Sequence, residues 1–337
     1  MKFLLSLDYE LFFGYKTGSV QKCLVQPVTE LLKCCKDYGL RLSLFVDAGF
    51  LIRLREEGRR NRQLLSEYSL IRRHLDSLLD LGHDIQLHIH PHWQDCYFDN
   101  DGWHIQTRRY KLHDFDASEQ RDIVRLYKDE LTDIAGDRIF AFRGGGWCIQ
   151  PFGEIANSLM AENIWLESTV FYKGRSEDAR RGFDFTSAPD LEYYRFSRDP
   201  SQIDTKGFFF EVPITSIEVG PLFFWRMIVA KKFGGERYRS YGDGAAMIAD
   251  KSYYLSRLTR KTRSVVSIDG LKAFFLGKAL QIQEAKNRDL LHVMGHPKAL
   301  TPYSIACLSS FLAKSDLSPI TYQDFQTMAP CCKKSPC

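Results

Sequence analysis

The chain has 337 residues, of which 44% are hydrophobic and 26% charged, a composition that allows a large core and excludes global disorder. The net charge of +4 is too small to indicate nucleic acid as the main partner, because nucleic-acid-binding domains carry a strong basic excess. No stretch approaches the roughly 20 apolar residues of a membrane span, and Asp8 interrupts the first apolar run too early for a secretory signal. The nine cysteines are odd in number and lack repeated C-x-x-C pairs, which favours a reducing compartment. We therefore predict a cytoplasmic protein.

Short apolar segments alternate with longer amphipathic segments along the chain. The predicted strands are 2–7, 41–46, 83–88, 138–143, 163–168, 207–214, 264–268 and 290–295. Between them, residues 28–39, 68–82, 118–136 and 270–287 have apolar side chains at helical spacing, and several of these segments end in glycine. This alternation predicts parallel βαβ units in an α/β fold, as a (β/α) barrel of seven or eight strands or an open sheet. We expect one domain over residues 1–330 and a mobile tail at 331–337.

The segment 221–263, which precedes the seventh predicted strand, has a different composition. It holds ten basic residues against three acidic ones, together with the aromatic stretches FFW, RYRSY and SYYL. We interpret it as an insertion into the domain. It is either a solvated helical excursion or a lid or surface that contacts anionic lipid or phosphate groups.

Reactive side chains follow the ends of most predicted strands. They are Asp8 and Glu10, Asp47, His88, Arg143, Asp269 and His296. In a β/α barrel the carboxyl ends of all strands open on one face, where catalytic residues gather. The sequence therefore predicts a site at that face.

The stretch LGHDIQLHIHPHW, residues 81–93, contains four of the nine histidines. His88 and His92 are four residues apart, so a helical turn after the strand would place both imidazoles on one side. Imidazole suits zinc and neighbouring metals, and a catalytic zinc site adds a third protein ligand and an open position. Asp8 and Glu10 offer carboxylates for that third position. The alternative is that the histidines are only polar residues at a barrel mouth; the repeated spacing favours a metal.

In order along the chain, SLDYE, HIHPH, FRGGGW, SIDG and HVMGHP resemble the motifs of the polysaccharide deacetylase family (carbohydrate esterase family 4). The resemblance spans roughly residues 3–298. It implies a distorted seven-stranded barrel and the hydrolysis of an N-acetyl group on a sugar. It also implies a divalent metal, with zinc as the first candidate.

The resemblance assigns roles to individual residues. Asp8 corresponds to the catalytic base, and His88 and His92 correspond to the metal-binding histidines. Arg143 corresponds to the arginine that pairs with the base, and His296 to the general acid.

The first motif departs from the usual family pattern. Tyr9 stands where a metal-binding aspartate is usual, and the Asp-x-Glu form resembles a branch linked to surface-polysaccharide or O-antigen assembly. That branch implies Glu10 as the third ligand, with His90 as a competitor. Asp269 is expected to orient the general acid, for which His292 is the second candidate.

Three tryptophans lie close to these motifs. Trp93, Trp103 and Trp147, together with His90, are candidates for substrate contact, since aromatic faces stack on sugar rings; core packing is the alternative. Backbone N–H groups of the glycine run before Trp147 could approach an oxyanion closely.

A cytoplasmic enzyme of this type would meet a nucleotide sugar or a lipid-linked glycan, and the segment 221–263 could bring it to the inner membrane. An amidohydrolase barrel is disfavoured, because its H-x-H pair follows the first strand. A glycan-binding or assembly protein that has lost catalysis remains the main alternative.

Overall fold

A computed structural model describes residues 1–178, 180–247 and 251–328, without the side chains of residues 251–254 and 328. The predicted tail at 331–337 lies outside the described residues. The strands are β1 Lys2–Tyr9, β2 Ser43–Asp47, β3 Asp84–Ile89, β4 Tyr97–Asp99, β5 Gly102–His104, β6 Ala141–Gly144, β7 Leu166–Glu167, β8 Arg175–Ser176, β9 Phe183–Asp184, β10 Tyr194–Phe196, β11 Phe209–Glu211, β12 Ser216–Val219, β13 Thr262–Val265, β14 Leu290–Gly295 and β15 Ser318–Ile320. The α-helices are α1 Gln26–Lys36, α2 Ala48–Gly58, α3 Arg62–Asp80, α4 Ala117–Ala135, α5 Phe152–Ala161, α6 Pro221–Phe233, α7 Lys251–Thr259, α8 Leu276–Ala285, α9 Pro302–Leu312 and α10 Phe325–Met328.

The chain forms two compact units, each of which is described by itself. The first unit consists of Met1–Leu42 and Ile214–Ile320, and the second of Ser43–Pro213 and the described residues from Thr321 onward. Among the described residues, no helix is both long and apolar enough to cross a bilayer.

The second unit contains six strands that are hydrogen-bonded in the order β10-β11-β7-β6-β3-β2. Neighbouring strands from β11 to β2 run parallel, and β10 is antiparallel to β11. Helices lie between β2 and β3, between β3 and β6 and between β6 and β7 along the chain, which is the expected βαβ pattern, whereas the short strands β8 to β10 lie between β7 and β11. The register places His88 opposite both Asp47 and Arg143, so the predicted residues of three neighbouring strands lie side by side.

In the first unit, β1 lies between β14 and β15 and is parallel to both. Leu7 pairs with Gly295 at the end of the β1–β14 ladder. The next residues along the chain, Asp8 in β1 and His296 just after β14, therefore lie at the same level. Strands β12 and β13 form a separate antiparallel pair.

The parallel βαβ units predicted from the sequence are confirmed, but two predicted elements need correction. The strand predicted at 264–268 begins as β13, antiparallel to β12, and only Ser267 forms a parallel bridge, to Met294. The segment changes partner because the Val266 N–H donates to the Thr215 carbonyl whereas the Ile268 N–H donates to the Met294 carbonyl. The helix predicted at 270–287 is a 3-10 stretch followed by α8, which begins only at Leu276.

Candidate active site

The histidine run lies where β3 ends and a 3-10 turn begins. His88 is on the strand, His90 follows it, and His92 lies in the turn Pro91–Asp95. A helical turn, the condition for His88 and His92 to share one side, therefore follows the strand from Pro91 onward. All three imidazoles are buried, with at most 1% of each residue exposed.

The three rings lie close enough together to act as a group. The centroids of His88 and His90 are 4.7 Å apart, and those of His90 and His92 are 5.3 Å apart, both in edge-on orientation. A ring nitrogen of His88 and one of His90 lie within 4.8 Å of each other. Tetrahedral zinc with bonds of about 2 Å holds its ligand atoms about 3.4 Å apart, a spacing that lies within this upper bound.

His88 is oriented by a hydrogen bond from its Nδ1 nitrogen. Its Nδ1 lies 2.9 Å from the carbonyl oxygen of Arg143. A carbonyl can only accept, so Nδ1 carries the proton and the lone pair is on Nε2. Histidines that bind metals are typically fixed in this way by a second partner.

Aromatic stacking fixes His92. Its ring stacks on Trp93 at 5.6 Å and on Tyr110 at 5.3 Å. Trp93 is fully buried, and its indole N–H donates to the Asp47 carboxylate over 2.6 Å. The described contacts of Trp93 are therefore those of a residue that supports the turn, and its substrate role stays a prediction.

The glycine run of RGGGW makes room for this cluster. A Cβ on Gly145 would clash with the His90 ring, and one on Gly146 would lie 2.9 Å from the Tyr110 ring. Gly146 also has φ of +61°, a conformation that favours glycine. The glycines thus allow the loop after β6 to pack directly on the histidine run.

Arg143 is held rigidly at the end of β6. Its Nε donates to the Ser168 carbonyl over 2.7 Å, and a terminal nitrogen lies 3.3 Å from the Tyr322 hydroxyl. The guanidinium also lies 4.1 Å above the Phe45 ring. The residue is 1% exposed, so its charge is placed with little freedom.

Sequence reasoning missed a carboxyl pair on the two strands beyond β6. Glu167 on β7 and Glu211 on β11 are register partners, and each is at most 1% exposed. Thr169 donates its hydroxyl to Glu167. Burial, and then the charge of Glu167 and a hydrogen bond with it, raise the pKa of Glu211 well above its ordinary value, although Arg143 opposes this. The sequence signal that could have revealed this pair was an acidic residue inside each of two apolar segments predicted as strands.

The first unit brings together the acids of β1 and the late histidine. Asp8 and Glu10 are each 6% exposed. The Nε2 of His296 lies 3.6 Å from an Asp8 oxygen and 3.7 Å from a Glu10 oxygen. The predicted base and the predicted acid are therefore neighbours within this unit.

Asp269 contacts His296, the residue that it is predicted to orient. Its carboxylate lies 2.9 Å from Nδ1 of His296 and also accepts the backbone N–H of that residue over 2.7 Å. Burial lowers the pKa of His296, but Asp269, Asp8 and Glu10 outweigh it, so the pKa is raised above its ordinary value. His292, the second candidate for the acid, is fully buried inside β14, with its Nε2 2.9 Å from the Ser6 hydroxyl.

Lys298 is a further site residue that the sequence did not reveal. Its ammonium donates to the Glu10 carboxylate over 2.8 Å and lies about 5 Å above the rings of Phe12 and Phe13. A metal bound to Glu10 would share its carboxylate with the Lys298 ammonium. A carboxylate has two oxygens, so it can contact both cations.

Trp103 and Trp147, the other two candidates for substrate contact among the tryptophans, are half-buried. Trp103 on β5 packs against Trp93 and Phe98, with ring centroids 5.3 Å apart in both cases. Trp147 has φ of 62° and packs against Phe171 at 5.8 Å. Both keep some ring surface exposed to solvent.

No family model and no curated relative match this chain. Solved structures of other proteins do match this chain. A GH57-type branching enzyme from Pyrococcus horikoshii is 11% identical, with a TM-score of 0.51 over 97% of this chain and 70% of that one. Proteins assigned as polysaccharide deacetylases match from Mycobacterium smegmatis (14% identity, TM-score 0.46, 92% and 79% coverage) and Pseudomonas aeruginosa PAO1 (11%, 0.47, 98% and 92%). At 11% identity the likeness to the branching enzyme shows the fold alone. Together with the parallel strands of the second unit, it confirms the predicted α/β fold class.

Proposed function

We propose that this protein is a metal-dependent hydrolase that removes an N-acetyl or similar acyl group from a sugar in surface-polysaccharide biosynthesis. The observation that carries the proposal is the histidine run, in which His88 is oriented by a backbone carbonyl and has a His90 nitrogen within 4.8 Å. The order of the acidic, histidine, arginine and late-histidine motifs supports it.

We propose that His88 and His92 hold a divalent ion, most simply zinc, with Glu10 as the third ligand. His90 is the competing ligand, and the spacing of its ring to His88 supports that alternative. Two neutral imidazoles and a carboxylate form a donor set that suits catalytic zinc. When bound, such an ion polarises the acyl carbonyl and lowers the pKa of water.

The remaining chemistry would come from side chains of this chain. Asp8 would accept the proton of the attacking water, and His296 would donate a proton to the leaving amine. Their separation of 3.6 Å supports successive proton transfers at one reacting centre. Asp269 would keep the imidazole oriented, and a raised pKa suits a general acid at neutral pH. Arg143 would pair with the base and hold it in place, the role that the resemblance assigns to it.

Substrate contacts would come from residues around this chemistry. Trp103 and Trp147 are half-buried, and their exposed ring surface could stack on a sugar. The loop before Trp147 could place a backbone N–H at the oxyanion. A nucleotide sugar or lipid-linked glycan is the substrate class we propose, in the cytoplasm and at the inner membrane.

Metal analysis of the single variants His88→Ala, His90→Ala and His92→Ala tests the proposal. Wild type should contain about one equivalent of metal, and His88→Ala should lose it. If His90→Ala or His92→Ala also loses the metal, that histidine is the second ligand. His104→Ala, outside the run, is the matched control. Acetate release from N-acetylated nucleotide sugars should fall in parallel.

A wild-type protein that binds no metal even when zinc is supplied would overturn the hydrolase proposal. The alternative would then be a glycan-binding or assembly protein on the same fold.

A further inference from the structure

Helix α6 has two apolar faces, and only one of them is buried. Phe223 and Phe224 pack inside the first unit, with 9% and 3% exposed. On the opposite side lie four large exposed apolar residues, here called the α6 stripe: Leu222, Trp225, Val229 and Phe233, exposed by 73%, 52%, 55% and 74%.

The spacing of the α6 stripe is that of one helical face. Its members are separated by three, four and four residues, which places them within a narrow sector of the helix. A contiguous exposed apolar face of this kind is typical of a surface that contacts a protein or a membrane. With 13 residues, α6 is about 20 Å long and too short to span a bilayer.

Basic side chains flank the α6 stripe on both edges. At 100° per residue, Lys232 lies on one side of it and Arg226 on the other, and both are exposed. Lys231 lies in the same last turn, and α6 contains no acidic residue. The stripe therefore combines an apolar centre with a cationic rim.

The neighbouring surface of the first unit continues this character. Phe274 is 54% exposed, and the Arg226 guanidinium lies 5.3 Å from its ring. Leu255 of α7 is 62% exposed. The Trp225 indole N–H donates to the Leu258 carbonyl over 3.2 Å, so the indole is fixed in orientation.

We propose that α6 is an interfacial helix that docks the protein on a membrane containing anionic lipid. The α6 stripe enters the boundary of the acyl chains, and Arg226 and Lys232 contact lipid phosphates. An apolar face with a basic rim is the pattern of helices that lie in the membrane plane, and tryptophan favours this boundary. A second copy of this chain fits less well, because a symmetric contact would bring the cationic rims together.

This proposal goes beyond the hydrolase activity and does not depend on it. Co-sedimentation with vesicles of phosphatidylcholine alone, or with about one third phosphatidylglycerol, tests it. Wild type should bind the anionic vesicles and lose binding as salt rises. The variants Trp225→Ser/Phe233→Ser and Arg226→Glu/Lys232→Glu should each bind at least about tenfold more weakly.

Matched controls separate this surface from general effects of polarity and charge. Leu81→Ser/Ile203→Ser changes two exposed apolar residues elsewhere, and Arg59→Glu/Arg60→Glu reverses two exposed charges elsewhere. Both should bind vesicles as wild type does. All four variants should keep wild-type thermal unfolding and any activity on a water-soluble substrate.

Failure of wild type to bind anionic vesicles, or unchanged binding in Trp225→Ser/Phe233→Ser, would overturn the proposal. A dimer in light scattering that becomes a monomer in that variant, without vesicle binding, would also overturn it and assign the α6 stripe to self-association.

Discussion

Two pairs of carboxyl groups lie near strand ends, one in each unit, and their surroundings are opposite in character. Asp8 and Glu10 in the first unit have cationic neighbours, with His296 within 3.7 Å and Lys298 at 2.8 Å. Glu167 and Glu211 in the second unit are register partners with at most 1% exposed.

The neighbouring charges and the burial of a carboxyl group decide which role it can take. Cations near Asp8 and Glu10 suit a base and a metal ligand. Burial and mutual repulsion favour a retained proton in the second pair, which raises the pKa of Glu211. We therefore expect chemistry at the first pair and structure at the second.

The largest expected effect is on catalysis at the first pair. Asp8→Asn should lower kcat/KM for acetate release by about 10²–10⁴, because the general base is lost. Glu211→Gln makes the same chemical change in the second pair and should keep activity within about threefold. Equal losses in both variants would show that the two pairs do not differ in role.

Removal of the cation beside Glu10 should destabilise the first unit. Lys298→Met keeps the side-chain length but leaves a buried carboxylate without its ammonium partner, so the free energy of unfolding in urea should fall by about 3–5 kcal/mol. Lys2→Met, at the more exposed ion pair with Asp289, should cost less than about 1 kcal/mol. A similar small cost at both positions would argue that the Glu10 pair is no stronger than a surface ion pair.

Asp269 should act through His296 as a positioning residue. Asp269→Asn should lower kcat about 10–100-fold with metal content unchanged. In the background of His296→Gln the same change should have almost no further effect, because the imidazole that it orients is gone. Additive losses in the double variant would assign Asp269 a separate role.

The smallest expected effect is a change in how stability depends on pH. A carboxyl with a raised folded pKa contributes stability below its ordinary pKa of 4.5, and this is lost as pH rises through the folded value. Glu211 faces Glu167 on β7, Arg143 on β6 and Tyr194 on β10.

Urea unfolding between pH 5 and pH 9 measures this dependence. Glu211→Gln should lose stability less steeply with pH than wild type. The exposed Glu284→Gln should keep the wild-type slope. Identical slopes in all three proteins would contradict a raised pKa at Glu211.

Much of the fold followed from local sequence patterns. The ends of β14 were predicted correctly, and β1 differs only by two further residues. The reactive residues at strand ends were recognisable because strand periodicity and a change to polar side chains both act within a few residues.

The partners of these residues depended on tertiary structure. Glu167 and Glu211 are 44 residues apart and meet only through the register of β7 and β11. Lys298 approaches Glu10 across 288 residues of chain.

By itself, the sequence determined the α/β alternation, the histidine run and the apolar, basic composition of α6. Only the tertiary structure decided which face of α6 is exposed, which carboxyls lie side by side and which strand 264–268 pairs with. The physical reason is that periodicity and turn chemistry are local, whereas burial, register and ion pairing depend on which distant segments pack together.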